Sequence, residues 1–362
     1  MIGYSYVSYV DAAQWLVIIA FCASFYMGTR VEFAYQPNGL TGELNQRTLR
    51  KLLYFSVGIG LVGTIGLIAG MSLSLGNFLN TFLASPSQFE QYFFNSSFAI
   101  LWQANIAGCF LLALTKIDPR WRYAILLALL FQVSLRFAYV YLVIASVYFL
   151  VPYSNTQRLS IKRTLSIATI LVLPLLYIFI NSYSLEDGFS SVLAKIAPYT
   201  FGNFVVLSQI SIDASLGILN PSFESLGLGS WVATLAKYVE GVTVRPLLVF
   251  SPIFLSLGAY GNTATGFSTF MYGGIVDGVV FHFFLGAAAQ YLYRLSLRNI
   301  VAAAIYAGIA SGLALYFATG APFGTTRLLP AIIWIVFPVL ILRTLYGPDV
   351  DRSENRRSFR RL

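Results

Sequence analysis

Acids, histidine and cysteine are all scarce in this sequence. Of 362 residues, 14 are Asp or Glu, two are Cys and one, His282, is histidine. A zinc site needs several Cys, His or carboxylate ligands brought together. One histidine, with Cys22 and Cys109 each inside an apolar run, offers no such cluster and no disulfide framework. A Gly-rich phosphate loop, a Ser nucleophile elbow and paired metal ligands are also missing. So are internal repeats, which argues against the inverted halves of many transporters. The chain is instead rich in apolar residues: 57% hydrophobic against 10% charged, with mean hydropathy +0.73. These proportions exclude a soluble globular domain and indicate an all-α polytopic membrane protein.

The net charge of +9 is not spread as a nucleic-acid-binding surface would need, and no nucleic-acid partner is expected. Eighteen of the 23 Lys and Arg fall in five segments: 29–51, 116–122, 152–163, 294–298 and 343–362. Short loops rich in Lys and Arg stay in the cytoplasm, so these segments are the expected cytoplasmic loops and tail. The last residues, 347–362, form a basic tail suited to anionic lipid. Residues 1–346 form the membrane domain. No cleavable signal peptide is expected, because Arg30 rather than a small-residue cleavage site follows the first apolar run.

This charge map orders the spans. Apolar runs at about 9–28, 52–73, 93–115, 164–182, 272–293, 299–319 and 329–346 each suit one crossing. The N-terminus is then outside and the C-terminus cytoplasmic. Glycines at 58, 60, 63, 66 and 70 suit close helix packing. Residues 183–270 form a long external loop, apolar enough to lie on the membrane as interfacial helices, including 244–260, VRPLLVFSPIFLSLGAY.

Residues 123–151 break the pattern. They are apolar except for Arg136, and basic residues flank both ends: Lys116, Arg120 and Arg122 before, Arg158, Lys162 and Arg163 after. Both ends therefore lie on one side, yet 29 residues cannot make two full crossings of about 20 residues each. The expected solution is a hairpin of two short helices turning near Ser134-Leu135-Arg136, which brings the total to about nine membrane helices. An arginine in lipid costs several kcal/mol, so the default reading of Arg136 is functional.

Five basic residues remain outside the cytoplasmic segments: Arg136, Lys195, Lys237, Arg245 and Arg327. Arg holds phosphate oxygens bidentately and stays charged when partly dehydrated. Arg136 and Arg245 beside a cavity thus suit a lipid-linked pyrophosphate, with Lys195 and Arg327 as further contacts. Arg327 serves equally as an anchor before the last span. In Tyr260-Gly261-Asn262-Thr263, where the long loop re-enters the membrane, Asn262 and Thr263 either orient sugar hydroxyls or cap the following helix. Asp277 is either a base or a bonded structural acid. His282 is a candidate base, although a lone membrane histidine more often packs with its bonds satisfied.

The SLR turn, followed after the external loop by GNTATGFSTFMYGGIVDGVVFHFFLG, resembles the Wzy-type O-antigen and oligosaccharide repeat-unit polymerases. The matching positions are Ser134 and Arg136, Asn262 and Thr265, Gly274 and Gly278, and Gly286; the chain departs in the inserted Leu135 and in Asp277 between the glycines. The resemblance covers about residue 50 to the end. It implies a GT-C-like, metal-independent glycosyltransferase of the bacterial inner membrane that needs no cofactor. Such an enzyme takes undecaprenyl-pyrophosphate-linked oligosaccharide on the periplasmic side, among membrane lipids, with a chain-length regulator and a flippase as partners. Read from the residues beside it, Arg136 and Arg245 stabilise the developing charge, Asp277, His282 or a carboxylate of the external loop (Glu186, Asp187, Asp213, Glu224 or Glu240) serves as base, and Lys195, Tyr260, Asn262, Thr265 and Arg327 bind substrate. The rival readings are an O-antigen ligase, which passes the same donor to lipid A core, and a lipid or oligosaccharide flippase.

Overall fold

Most of the apolar runs that are described fold as helices. The computed structural model describes residues 12–32, 44–75, 96–134, 139–156, 169–170, 228, 231, 252–254, 260–262, 274–316 and 322–346. The helices are α1 (Ala12–Thr29), α2 (Gln46–Leu75), α3 (Phe98–Trp102), α4 (Ala104–Leu114), α5 (Pro119–Ser134), α6 (Tyr139–Thr156), α7 (Ile275–Ser296), α8 (Ile300–Ala314), α9 (Thr325–Ala331) and α10 (Phe337–Tyr346). A π-helical turn, Ile332–Val336, joins α9 to α10. Among the described residues, three stretches are long and apolar enough to cross a bilayer: Gln46–Gly70, Ile275–Ser296 and Thr325–Leu345. The expected span at 164–182 and the tail at 347–362 lie outside the described residues, apart from 169–170.

The chain divides into two compact units. The first comprises residues 1–35, 183–293 and 309–328; the second comprises 36–182, 294–308 and 329–362.

In the first unit, α1 lies directly against α7. Gly28 meets the backbone of Phe283 and Ala287, and Gly286 meets the backbone of Phe25, so neither position has room for a Cβ. Small residues of this kind let helix backbones approach closely in a membrane. Ser24 Oγ closes the crossing by donating to the Val279 carbonyl at 2.5 Å. Phe21, Leu285 and Tyr316 form the core beside it.

The second unit is built around α4, whose residues from Ala104 to Ala113 are all buried. A helix that is apolar all round suits a position with neighbours on every side, and α2, α3, α5 and α6 pack on it or beside it. The glycine expectation for α2 holds at three positions. Gly60, Gly63 and Gly66 face Asn105, Trp102 and Phe98, whereas Gly58 faces open space.

Helices α5 and α6 form a hairpin. Trp102 Nε1 donates to the Gln132 carbonyl at 2.9 Å, and its ring meets Tyr141 edge-on, which brings the end of α5 and the start of α6 to one point. At the other end, the Arg122 guanidinium lies 5.8 Å from the centroid of Tyr153. The arms have 16 and 18 residues, so about 24 and 27 Å at 1.5 Å per residue. Both fall short of the roughly 30 Å hydrocarbon core. Each arm extends beyond the apolar run that revealed it, which takes Arg120 and Arg122 into a helix rather than a loop.

Three further boundaries differ from those expected. The second span begins at Gln46, so Arg47, Arg50 and Lys51 are helical, not loop. The third is divided at Gln103, between α3 and α4. The last begins at Thr325, so Arg327 lies within a helix instead of before it. Prolines at 330 and 338 bracket the π-helical turn. Each removes a backbone donor and crowds the preceding turn, and the wider π register accommodates this.

Part of the stretch expected to form an interfacial helix at 244–260 is instead extended. Pro252–Phe254 (β1) pairs antiparallel with Tyr260–Asn262 (β2) in the register Pro252 to Asn262 and Phe254 to Tyr260. Proline lacks the amide a helix interior uses, but it is tolerated as the first residue of a strand. The ladder then satisfies the backbone groups around it.

Candidate functional site

Four of the nine predicted site residues, Arg136, Arg245, Lys195 and Thr265, lie outside the described residues. Lys237 and the loop acids Glu186, Asp187, Asp213, Glu224 and Glu240 do too. Tyr260 and Asn262 belong to β2. The next described helix, α7, starts at Ile275, and Thr263 lies outside the described residues. Asp277, His282 and Arg327 are all in the first unit.

Asp277 occupies the first turn of α7 and is exposed. An acid there complements the positive end of the helix dipole. The preceding Gly274 has φ +153°, and a Cβ on it would sit 3.0 Å from Asp277 Oδ2. Glycine therefore serves two purposes at this point: it adopts a backbone angle that L residues avoid, and it clears space for the carboxylate to fold back.

His282 is 1% exposed. Its ring stacks on Phe21 with centroids 4.7 Å apart and meets Phe281 and Tyr316 edge-on. Nδ1 lies 2.6 Å from the Gly278 carbonyl, and Nε2 lies 3.2 Å from the Tyr316 hydroxyl. A carbonyl only accepts, so Nδ1 carries the proton. Nε2 must then accept from the Tyr316 O–H. The lone pair a general base would use is already engaged. The structure therefore favours the packing role for His282, with Tyr316 as its partner. Tyr316 lies in an apolar run without a motif, and nothing in the sequence signals it.

Arg327 is 4% exposed. It follows a turn at 322–324 that Trp231 holds by donating from Nε1 to the Phe323 carbonyl at 2.7 Å. Phe323 packs on the Phe21, Leu285 and Tyr316 core. The stem of Arg327 lies against Gly312, where a Cβ would come within 2.9 Å of its Cδ. Gly312 is one helical turn before Tyr316, so the face that receives Arg327 is also the one that reaches His282. The first unit thus collects an arginine, a tyrosine and a histidine along one side of α8 and its continuation. Among the described residues, no group of three or more His, Cys, Asp or Glu is placed to hold a metal.

One buried cation escaped prediction. Arg122 has the appearance of a loop charge in the sequence, yet it is 7% exposed and donates to the carbonyls of Thr115 (3.0 Å) and Ile117 (3.4 Å). Its role is to fasten the α4–α5 loop. Comparison with protein-family models, curated proteins and solved structures finds no match to the chain.

Proposed function

We propose that the chain is a membrane glycosyltransferase with a GT-C-like bundle of about nine membrane helices, polymerising lipid-linked oligosaccharide repeat units. The growing glycan leaves undecaprenyl pyrophosphate and joins the non-reducing end of a new lipid-linked unit at the periplasmic face of a bacterial inner membrane. The anomeric carbon–oxygen bond to pyrophosphate breaks as the acceptor hydroxyl oxygen forms the new glycosidic bond. The hydroxyl proton passes to a base.

The supporting observation is the α5–α6 hairpin, two arms of 16 and 18 residues joined by residues 135–138, the segment that contains Arg136. In this reading, Arg136 and Arg245 stabilise the charge that develops on the departing pyrophosphate, with Arg327 and Lys195 as further phosphate contacts. Tyr260, Asn262 and Thr265 hold sugar hydroxyls. Asp277 takes the proton, because its carboxylate is exposed, whereas His282 is engaged with Tyr316. His282 positions α7. The reading assigns no metal.

Arg136→Ala tests it. The folded, inserted variant is expected to lose polymer, with at least about a hundredfold drop in transfer rate. Normal polymer from a folded variant would remove Arg136 from the mechanism.

A further inference from the structure

One end of the second unit carries an ordered basic surface. Arg47, Arg50, Lys51, Lys116 and Arg120 are all exposed there. On α2, Arg47, Arg50 and Lys51 are three and four residues apart and share a face. Arg50 Nη2 donates to the Lys116 carbonyl at 2.9 Å, which joins that face to the α4–α5 loop. Gln46 secures the same loop twice: Nε2 donates to the Leu114 carbonyl at 3.3 Å, and Oε1 accepts from the Lys116 amide at 2.8 Å. Arg122 fastens it from the other side. Asp118 is the sole acid among the described residues of this unit, and its Oδ1 accepts from the Arg120 amide at the start of α5.

The result differs from an ordinary topogenic loop. Five cations are held on a frame of side chain to backbone hydrogen bonds, with one acid already engaged at a helix start. Trp121, 68% exposed, projects from the same turn. Exposed aromatics beside cations mark the bilayer–water boundary.

We infer that this surface is a binding site for the phosphate headgroup of an anionic phospholipid. Lys116, Arg120 and the Arg47 face of α2 contact the headgroup, and Trp121 lies at its glycerol level. By the charge rule this end faces the cytoplasm, whose leaflet is anionic. The inference does not depend on the glycosyltransferase reading.

The test uses the full chain purified in a neutral detergent. Thermal stabilisation is titrated with phosphatidylglycerol, phosphatidylcholine and inorganic phosphate, for wild type and for R47Q/K116Q/R120Q. The variant spares Arg50 and Arg122, which fasten the loop. Phosphatidylglycerol is expected to stabilise wild type, phosphatidylcholine to do so far less, and the variant to bind more weakly by about fivefold per cation removed. Equal stabilisation by both lipids, an unchanged variant, or an effect reproduced by phosphate alone would each overturn the assignment.

Discussion

The two units solve the problem of helix packing with the same device and different supports. In the first, Gly28 and Gly286 let α1 and α7 touch backbone to backbone. The contact is flanked by aromatics, with Phe21 stacked on His282. In the second, Gly60, Gly63 and Gly66 bring α2 against α3 and α4, and the crossing is threaded by polar side chains. Asn105 Nδ2 reaches the Gly60 carbonyl and Thr64 Oγ1, each at 3.3 Å. Thr64 Oγ1 in turn lies 2.9 Å from the Gly60 carbonyl and 3.1 Å from Gln132 Oε1. Asn105 Oδ1 has no hydrogen-bond partner and sits over Gly60. Glycine provides the approach in both units. In the second unit the contacts of Asn105 Nδ2 and Thr64 then fix the helix register, because a slip would break them.

The largest effects should come from the shared device. A side chain at Gly63 or Gly286 overlaps backbone, which no rotamer change relieves. Gly63→Leu and Gly286→Leu should each cost at least about 3 kcal/mol or prevent folding. Gly58→Leu, which meets open space, is the control and should be neutral to within about 1 kcal/mol. Denaturant unfolding in mixed micelles measures all three. A neutral Gly63→Leu would show that the close crossing is not required.

Smaller effects should separate the supports. Asn105→Leu and His282→Phe each remove hydrogen bonds and should cost about 1–2 kcal/mol. Asn105→Leu and Thr64→Val touch one network and should couple by at least about 0.5 kcal/mol. Asn105→Leu and His282→Phe share no partner, so their costs should add. Strong coupling between that second pair would contradict two separately built cores.

The elements were legible in the sequence because a helix in lipid needs a long apolar run, and such runs stand out at about 9–28, 52–73 and 272–293, where the helices are Ala12–Thr29, Gln46–Leu75 and Ile275–Ser296. The hairpin was legible for a related reason: matching basic flanks around too short a run leave few ways to thread it. The fate of individual charges was not. Arg120 and Arg122 differ by two positions, yet one is exposed and the other turns back to cap loop carbonyls. Arg327 reads as a span anchor but is buried beside Gly312. Counting charges along a chain gives sidedness, whereas burial depends on which neighbours tertiary packing supplies. The extended pairing at Pro252–Phe254 escaped for a similar reason, since its partner is fixed by register. Of the candidate site, His282 was half legible: its apolar surroundings pointed to packing, but Tyr316 as its partner did not show.

The most direct measurement is reconstitution. The purified chain in liposomes, supplied only with undecaprenyl-pyrophosphate-linked repeat units, should yield a ladder of glycan lengths on the lipid carrier. Absence of a ladder from folded protein, with transfer appearing only when lipid A core is added, would contradict polymerisation and assign the chain to ligation.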